Sequence, residues 1–373
     1  MVVVCTTTRA ATVSAHPRTV AIVETDIGQY MDDTWALAAL LADAALDVRM
    51  VVLSTNDTEA RARIAGKLIA ESEHAGRNIT LVVGARESAY AGPQAAWAAN
   101  YDLAAYPGRV VRANTPDNEA AVAAVLAEAT AALRADNGTA HVVLVELAPP
   151  VVFGAVAARR AGAALFRTGR VHVSAMGGSF RYGYGHRPGQ VPEYNVAHDV
   201  RAAQRLFRSV PARAAFALAP LDTSSLVRFE GARWERVLTH EGASEAEQQR
   251  SMVSRVLASY RVWAAECPRD PLGLMCASAD PARNSGNMFD LQAAAVAGAL
   301  ARTGGDGSSE ALARDPVGAC LNMTTVRVDV DAEGRTQADP AGTAPHARPR
   351  TVALDWRDNS RFLDLLLAQI LKE

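Results

Sequence analysis

The sequence predicts an α/β protein: an open, mostly parallel sheet with helices on both faces, a Rossmann-like core, and a C-terminal β-hairpin and helix. Three observations carry this. Short apolar, β-branched runs recur along the first half of the chain. Ala/Leu-rich stretches with helical spacing alternate with them, the pattern that builds βαβ units. Several runs end in polar residues or Gly, so their tips can share one cleft at the carboxyl edge of the sheet.

The apolar β-branched run that begins at Thr19 ends abruptly in the acid-rich Glu24-Thr25-Asp26-Ile27-Gly28-Gln29-Tyr30-Met31-Asp32-Asp33, which reads as strand, then loop, then a helix from about Asp33 to Ala44. Val48 to Leu53 is a second strand, ending in the polar Ser54-Thr55-Asn56-Asp57-Thr58 before helical Glu59 to Glu73. Ile79 to Val83 is a third. Tyr90 to Pro107 is loop-like and aromatic, and an Ala-rich helix covers Asn118 to Ala135. Val142 to Leu147 and Val171 to Met176 are further strands; a Gly/Tyr/Arg loop follows the second, up to Asn195. Val326 to Val330 and Thr351 to Trp356 form a hairpin with a long Pro/Gly-rich excursion, and Arg361 to Leu371 is a closing helix.

With 373 residues, 49% hydrophobic and 21% charged, the chain can bury a large core. We divide it into a disordered tail, 1–17, and one domain, 18–373. A formal net charge of -2 gives no reason to expect a nucleic-acid partner. No apolar run is long enough to span a bilayer. The start of the chain lacks the charge and apolar length of a signal peptide, so we read a cytoplasmic location and leave secretion open. Cys5, Cys267, Cys276 and Cys320 lack metal or redox spacing; Cys267 and Cys276 are near enough to pair, but we expect free thiols.

The chemistry gathers where the first strand ends. Glu24, Asp26, Asp32 and Asp33 crowd one strand tip and one helix start, where free N–H groups favour anions. Carboxylates that close repel one another, and a bound cation relieves this. With no Cys or His among them, the donors are hard oxygens, which suit Ca2+ and, less well, Mg2+. The bland alternative is that Asp32 and Asp33 only cap a helix. Two other stretches stand out. Ser285 to Asp290 puts an acid at another helix start, an ordinary cap position. Gly189 to Val196 places Glu193 and Asn195 in a Gly/Pro-rich loop, a pair suited to the hydroxyls of a polyol.

Together, and in this order, these pieces resemble the inosine/uridine-preferring nucleoside hydrolase family. That family opens on an Asp-x-Asp-x-Gly-x-Asp-Asp-type motif. Here it stands as Glu24 to Asp33 with extra residues after Gly28, as in a bacterial-type branch. The likeness continues through Met176-Gly177-Gly178, Pro192-Glu193-Tyr194-Asn195 and Asp290, over about residues 18–300. It implies a nucleoside hydrolase-like fold and Ca2+-dependent cleavage of ribonucleosides into base and ribose. Asp26, Asp33, Asp290 and a backbone carbonyl, best aligned at Val151, would hold the ion. Asp26 would also take a proton from the attacking water. Asp32 would bind the ribose 2′-hydroxyl, Glu193 and Asn195 the other hydroxyls, and Asp57 or Asn56 matches a polar residue at the second strand tip. The family's habit implies a homo-oligomer, a dimer or tetramer, acting on a small-molecule nucleoside.

Two departures matter. Glu24 replaces the first Asp of the motif. Phe289 stands where purine-preferring members carry a His that protonates the leaving base; His186 or His198 could replace it. Trp97, Tyr101, Tyr182 and Tyr184 are candidates to stack on a base, with Trp97 the foremost, and Arg181 and Arg187 could meet a phosphate. Two other readings stay open: a non-catalytic nucleoside- or ribose-binding homologue, and an aspartyl phosphatase, whose nucleophile would have to be Asp where Glu24 stands.

Overall fold

β1 (Thr19–Thr25) is buried along its whole length. Ala21 and Val23 point into one apolar cluster, Val20 and Ile22 into another. A strand buried on both faces needs helices on both sides of the sheet. The structure, a computed structural model, describes residues 19–112, 118–135, 139–240, 251–270 and 276–372. The tail expected over 1–17 lies outside them.

After β1 come α1 (Asp32–Ala42), β2 (Leu46–Leu53), α2 (Thr58–Ala70), β3 (Thr80–Val83), β4 (Val110–Arg112), α3 (Glu119–Arg134) and β5 (Val142–Glu146). Then follow α4 (Val151–Ala158), α5 (Arg160–Arg167), β6 (Val171–Met176), α6 (Tyr194–His198), α7 (Val200–Ser209), β7 (Phe216–Ala219), α8 (Leu221–Ser224) and α9 (Ala232–His240). The rest is α10 (Met252–Glu266), α11 (Phe289–Arg302), α12 (Ser309–Leu312), β8 (Leu321–Val330), β9 (Thr336–Ala338), β10 (Arg348–Trp356) and α13 (Asn359–Leu371).

The ten strands lie in the order β4-β3-β2-β1-β5-β6-β7-β10-β8-β9. They are parallel from β4 through β10. β8 runs antiparallel to β10, and β9 antiparallel to β8. The expected α/β architecture and the C-terminal hairpin with its helix are thus present. The Pro/Gly-rich excursion adds a short outer strand, β9, that the sequence did not announce. The loop-like 90–107 stretch contains two 3-10 turns, Pro93–Ala98 and Leu103–Ala105.

The strand order reverses at β1: β2 lies on one side and β5 on the other. A crevice opens at such a switch point, outside the carboxyl ends of the strands. Two helices start there. α1 is buried from Asp32 to Leu41, and α11 from Phe289 to Leu300. Both belong to the same apolar cluster, which α13 also joins. The Gln369 side chain of α13 donates to the Ala39 carbonyl of α1, 2.9 Å. No helix among the described residues is long and apolar enough to cross a membrane.

Candidate active site

α1 and α11 each carry acid in the first turn: Asp32 and Asp33 on one, Asp290 on the other. Neither helix has a side-chain cap from its N-cap residue, Met31 or Met288. The acids therefore stand where first-turn N–H groups have no helical partner, at the positive end of each dipole. Oxygen atoms of Asp32, Asp33 and Asp290 lie within 4.8 Å of one another, all three buried. Asp32 accepts the Asp33 N–H at 3.1 Å, and the Thr25 hydroxyl donates to Asp33.

Asp26 lines the same cleft, with its carboxylate 3.9 Å from the guanidinium of Arg61. Arg61 is fully buried. It also donates to the carbonyls of Thr55 at 2.9 Å and Ile27 at 3.1 Å, which fixes it beneath the loop. Burial raises the pKa of each acid, most simply because a charged carboxylate loses water. Asp32 is pushed up to about 7, and Asp33 and Asp290 well above the ordinary carboxylate range, with mutual repulsion adding to burial. Asp26 is raised by burial and partly restored by Arg61. Four buried acids that resist ionising together make a site that a cation would complete.

The cleft is about 830 Å³. Glu193 and Asn195 line it, as expected from sequence. Glu193 caps α6, accepting the N–H groups of Asn195 at 2.9 Å, Val196 at 3.2 Å and Gly178 at 3.0 Å, and burial lifts its pKa to about 7. The Asn195 amide donates to the carbonyls of Leu147 at 3.3 Å and Met176 at 3.2 Å, tying α6 to the ends of β5 and β6. Tyr30, Tyr184 and Phe289 supply an aromatic side: Phe289 is 6.1 Å from Tyr30 and 5.9 Å from Tyr184, ring centre to ring centre. His198 and Arg187 also line the cleft, and His198 pairs with Glu87 at 3.1 Å.

Other sequence candidates sit elsewhere. Asp57 caps α2 through the Ala60 N–H at 3.0 Å and pairs with Arg86 at 2.7 Å. Trp97 packs on the core with the Lys67 ammonium 4.5 Å over its ring. Val151 is the first residue of α4. His186 stacks on Tyr182 at 4.1 Å, and Arg181 is held by Asp222 at 3.5 Å. Glu24 does not line the cleft: both its oxygens accept backbone N–H groups of α4, Val152 and Phe153, each at 2.8 Å. The free thiols expected at Cys267 and Cys276 are corrected. α10 ends in a turn that brings the two Cα atoms within 5.7 Å, and they form a disulfide; Cys320 is free and buried. Just beyond that bond, Ala277 and Ser278 form part of the cleft wall.

Fold and cleft define an α/β protein of the class whose cleft, lined by buried acids, opens at a sheet switch point. The family comparison makes this specific. The inosine-uridine preferring nucleoside hydrolase family matches residues 21–364, and the chain belongs to that family. It is an N-ribosyl hydrolase. Among solved structures, it is similar to a plant nucleoside hydrolase at 17% identity, with a TM-score of 0.64 over 96% of this chain and 100% of that one. It is also similar to a purine-preferring ribonucleoside hydrolase from Gardnerella vaginalis: 18% identity, TM-score 0.61, 95% and 98% covered. For an inosine-uridine preferring nucleoside hydrolase from Bacillus anthracis the figures are 15%, 0.59, 95% and 100%. No curated protein sequence matches the chain significantly.

Proposed function

We propose that the protein cleaves the N-glycosidic bond of ribonucleosides with the help of Ca2+, releasing base and ribose, with Asp26 as the base. The observation that carries the reading is the meeting of Asp26, Asp32, Asp33 and Asp290, from two distant stretches of sequence, in one buried cleft. Their hard oxygen donors suit calcium. Asp26, Asp33 and Asp290 are the residues we assign to the ion; Val151, whose carbonyl is proposed from sequence as a further ligand, starts α4 outside the cleft lining. When bound, it supplies Lewis acidity and a grip on neighbouring oxygens.

The residues divide the work. Asp32 accepts from the ribose 2′-hydroxyl, and Glu193 and Asn195 bind the remaining hydroxyls, holding C1′ over the acids. Asp57 and Trp97, proposed from sequence as further substrate contacts, would need to move to reach it. Asp26 accepts a proton as water attacks C1′, and Arg61 beside it favours the charged, proton-accepting form. Cleavage of a glycosidic bond passes through an oxocarbenium-like state, and the surrounding carboxylates stabilise its positive charge. The aromatic side of the cleft takes the base and keeps water from it.

The test is release of ribose from inosine and uridine by protein stripped of metal and then supplied with Ca2+. We expect turnover that chelator abolishes and calcium restores. Turnover indifferent to complete metal removal would overturn the calcium reading.

A further inference from the structure

Phe289 cannot donate a hydrogen bond, so a departing base must find its donor elsewhere in the cleft. Most candidates are committed. The Tyr194 hydroxyl is directed at the Gln29 side-chain oxygen at 3.3 Å, His198 Nε2 at Glu87, and the Asn195 amide at two carbonyls. Tyr30 differs. It lies in the extra residues between Gly28 and the acid pair, and its ring flanks Phe289. Trp263 packs edge-on behind it at 5.2 Å. Its oxygen receives the Asn287 N–H at 3.2 Å and lies 3.1 Å from the Ser278 hydroxyl. All three residues face the cleft. With the Asn287 N–H on one lone pair, the phenol oxygen can accept the Ser278 hydroxyl on the other and turn its own proton to a third partner.

We infer that Tyr30 is the hydrogen-bond donor to the leaving nucleobase, stabilising the charge that develops on it as the glycosidic bond breaks. This rests on the hydrolase reading above. The electron pair of the C1′–N bond passes to the base. Water's hydroxide joins C1′ and its proton goes to Asp26, then to solvent. The base leaves as an anion, held by the Tyr30 hydroxyl, and takes a proton from bulk water on release. Tyr30 keeps its proton throughout. Burial pushes its pKa up to about 12, so the donor form persists across the neutral range. The donor then acts on charge that exists only late in the reaction, which is where it accelerates.

The experiment compares kcat of the full chain and of Tyr30→Phe on inosine, uridine and p-nitrophenyl β-D-ribofuranoside, whose leaving group needs no donor. We expect Tyr30→Phe to lose about 10²-fold on the nucleosides and less than about threefold on the nitrophenyl riboside. The riboside also reports that the variant is folded. Equal losses on all substrates would mean that Tyr30 only packs, and would overturn the inference. So would no loss on any. A substrate-selective loss in Tyr184→Phe but not in Tyr30→Phe would move the donor to Tyr184. If the unmodified protein turned over neither substrate class, the hydrolase reading itself would fall, a result separate from any difference between variants.

Discussion

The carboxylate of Glu24, at the end of β1, accepts the backbone N–H of Phe153 in the first turn of α4, 2.8 Å away. Its second oxygen takes the neighbouring N–H of Val152. The acid thus ties the start of α4, and Val151 with it, to the strand that leads into Asp26. Burial raises its pKa to about 8, and the two N–H donors oppose that rise. Glu24→Ala leaves both N–H groups buried and unpaired. We expect a loss of about 2–4 kcal/mol in urea unfolding, and a smaller loss for Glu24→Gln, which keeps one accepting oxygen.

Removing one of the crowded acids should separate stability from metal binding. Asp290→Asn relieves repulsion among Asp26, Asp32, Asp33 and Asp290, so the metal-free variant should melt above the metal-free parent. It should also bind calcium at least about tenfold more weakly by calorimetry and gain less Tm on adding it.

Arg61 holds down the pKa of Asp26, the base we propose. It is the first cause that lowers the Asp26 pKa against burial. Arg61→Met removes that charge, so the Asp26 pKa rises further and the base form is lost at higher pH. The acid limb of the kcat/KM profile should move upward, and the loss of activity should be greatest on the acid side. An unmoved limb would show that Asp26 is not the group that titrates there.

Acid should destabilise the fold through His172. This buried ring hydrogen-bonds to His141 at 2.9 Å, and burial lowers its pKa from 6.5 to about 4. Between those values the unfolded chain binds a proton that the folded chain does not. The stability is fully present above the unfolded value and falls as the pH drops toward about 4, by about 3 kcal/mol from this group. His172→Leu should flatten that part of a stability–pH curve measured by urea unfolding.

The Cys267–Cys276 bond anchors the turn carrying Ala277 and Ser278, and Tyr90 braces the same region through Asp270 at 2.6 Å. Cys276→Ser should cost about 2–3 kcal/mol of stability. It should raise KM for nucleosides several-fold more than it lowers kcat, because a wall of the cleft loosens while the acids stay in place.

Much of this was legible in the chain. β1 and its acid loop stand out because a β-branched run buried on both faces breaks abruptly into carboxylates. Asp290 is a single acid at a helix start, and only its place after the other pieces marks it. Glu24 reads as one more acid of the cluster; its partners, Val152 and Phe153, come from another βα turn and carry no side-chain signal. Arg61 was missed, although a trace was there. It falls on the stripe with Ile64, Ala65 and Leu68, so a helix that buries those buries its guanidinium too. β7 is four residues of Phe-Ala-Leu-Ala, too short and too rich in Ala to show a strand period. The disulfide follows from how α10 turns, which spacing alone does not reveal.

α1 and its acids leave the ribosome well before Asp290 and the bracing helix α13. A nascent chain therefore carries half of the acid cluster with nothing to complete it. The pocket is assembled only after Asp290 emerges, when like charges from both portions must be driven together. A cation arriving at that moment would act as the last piece of the folding reaction as well as a helper in the chemistry.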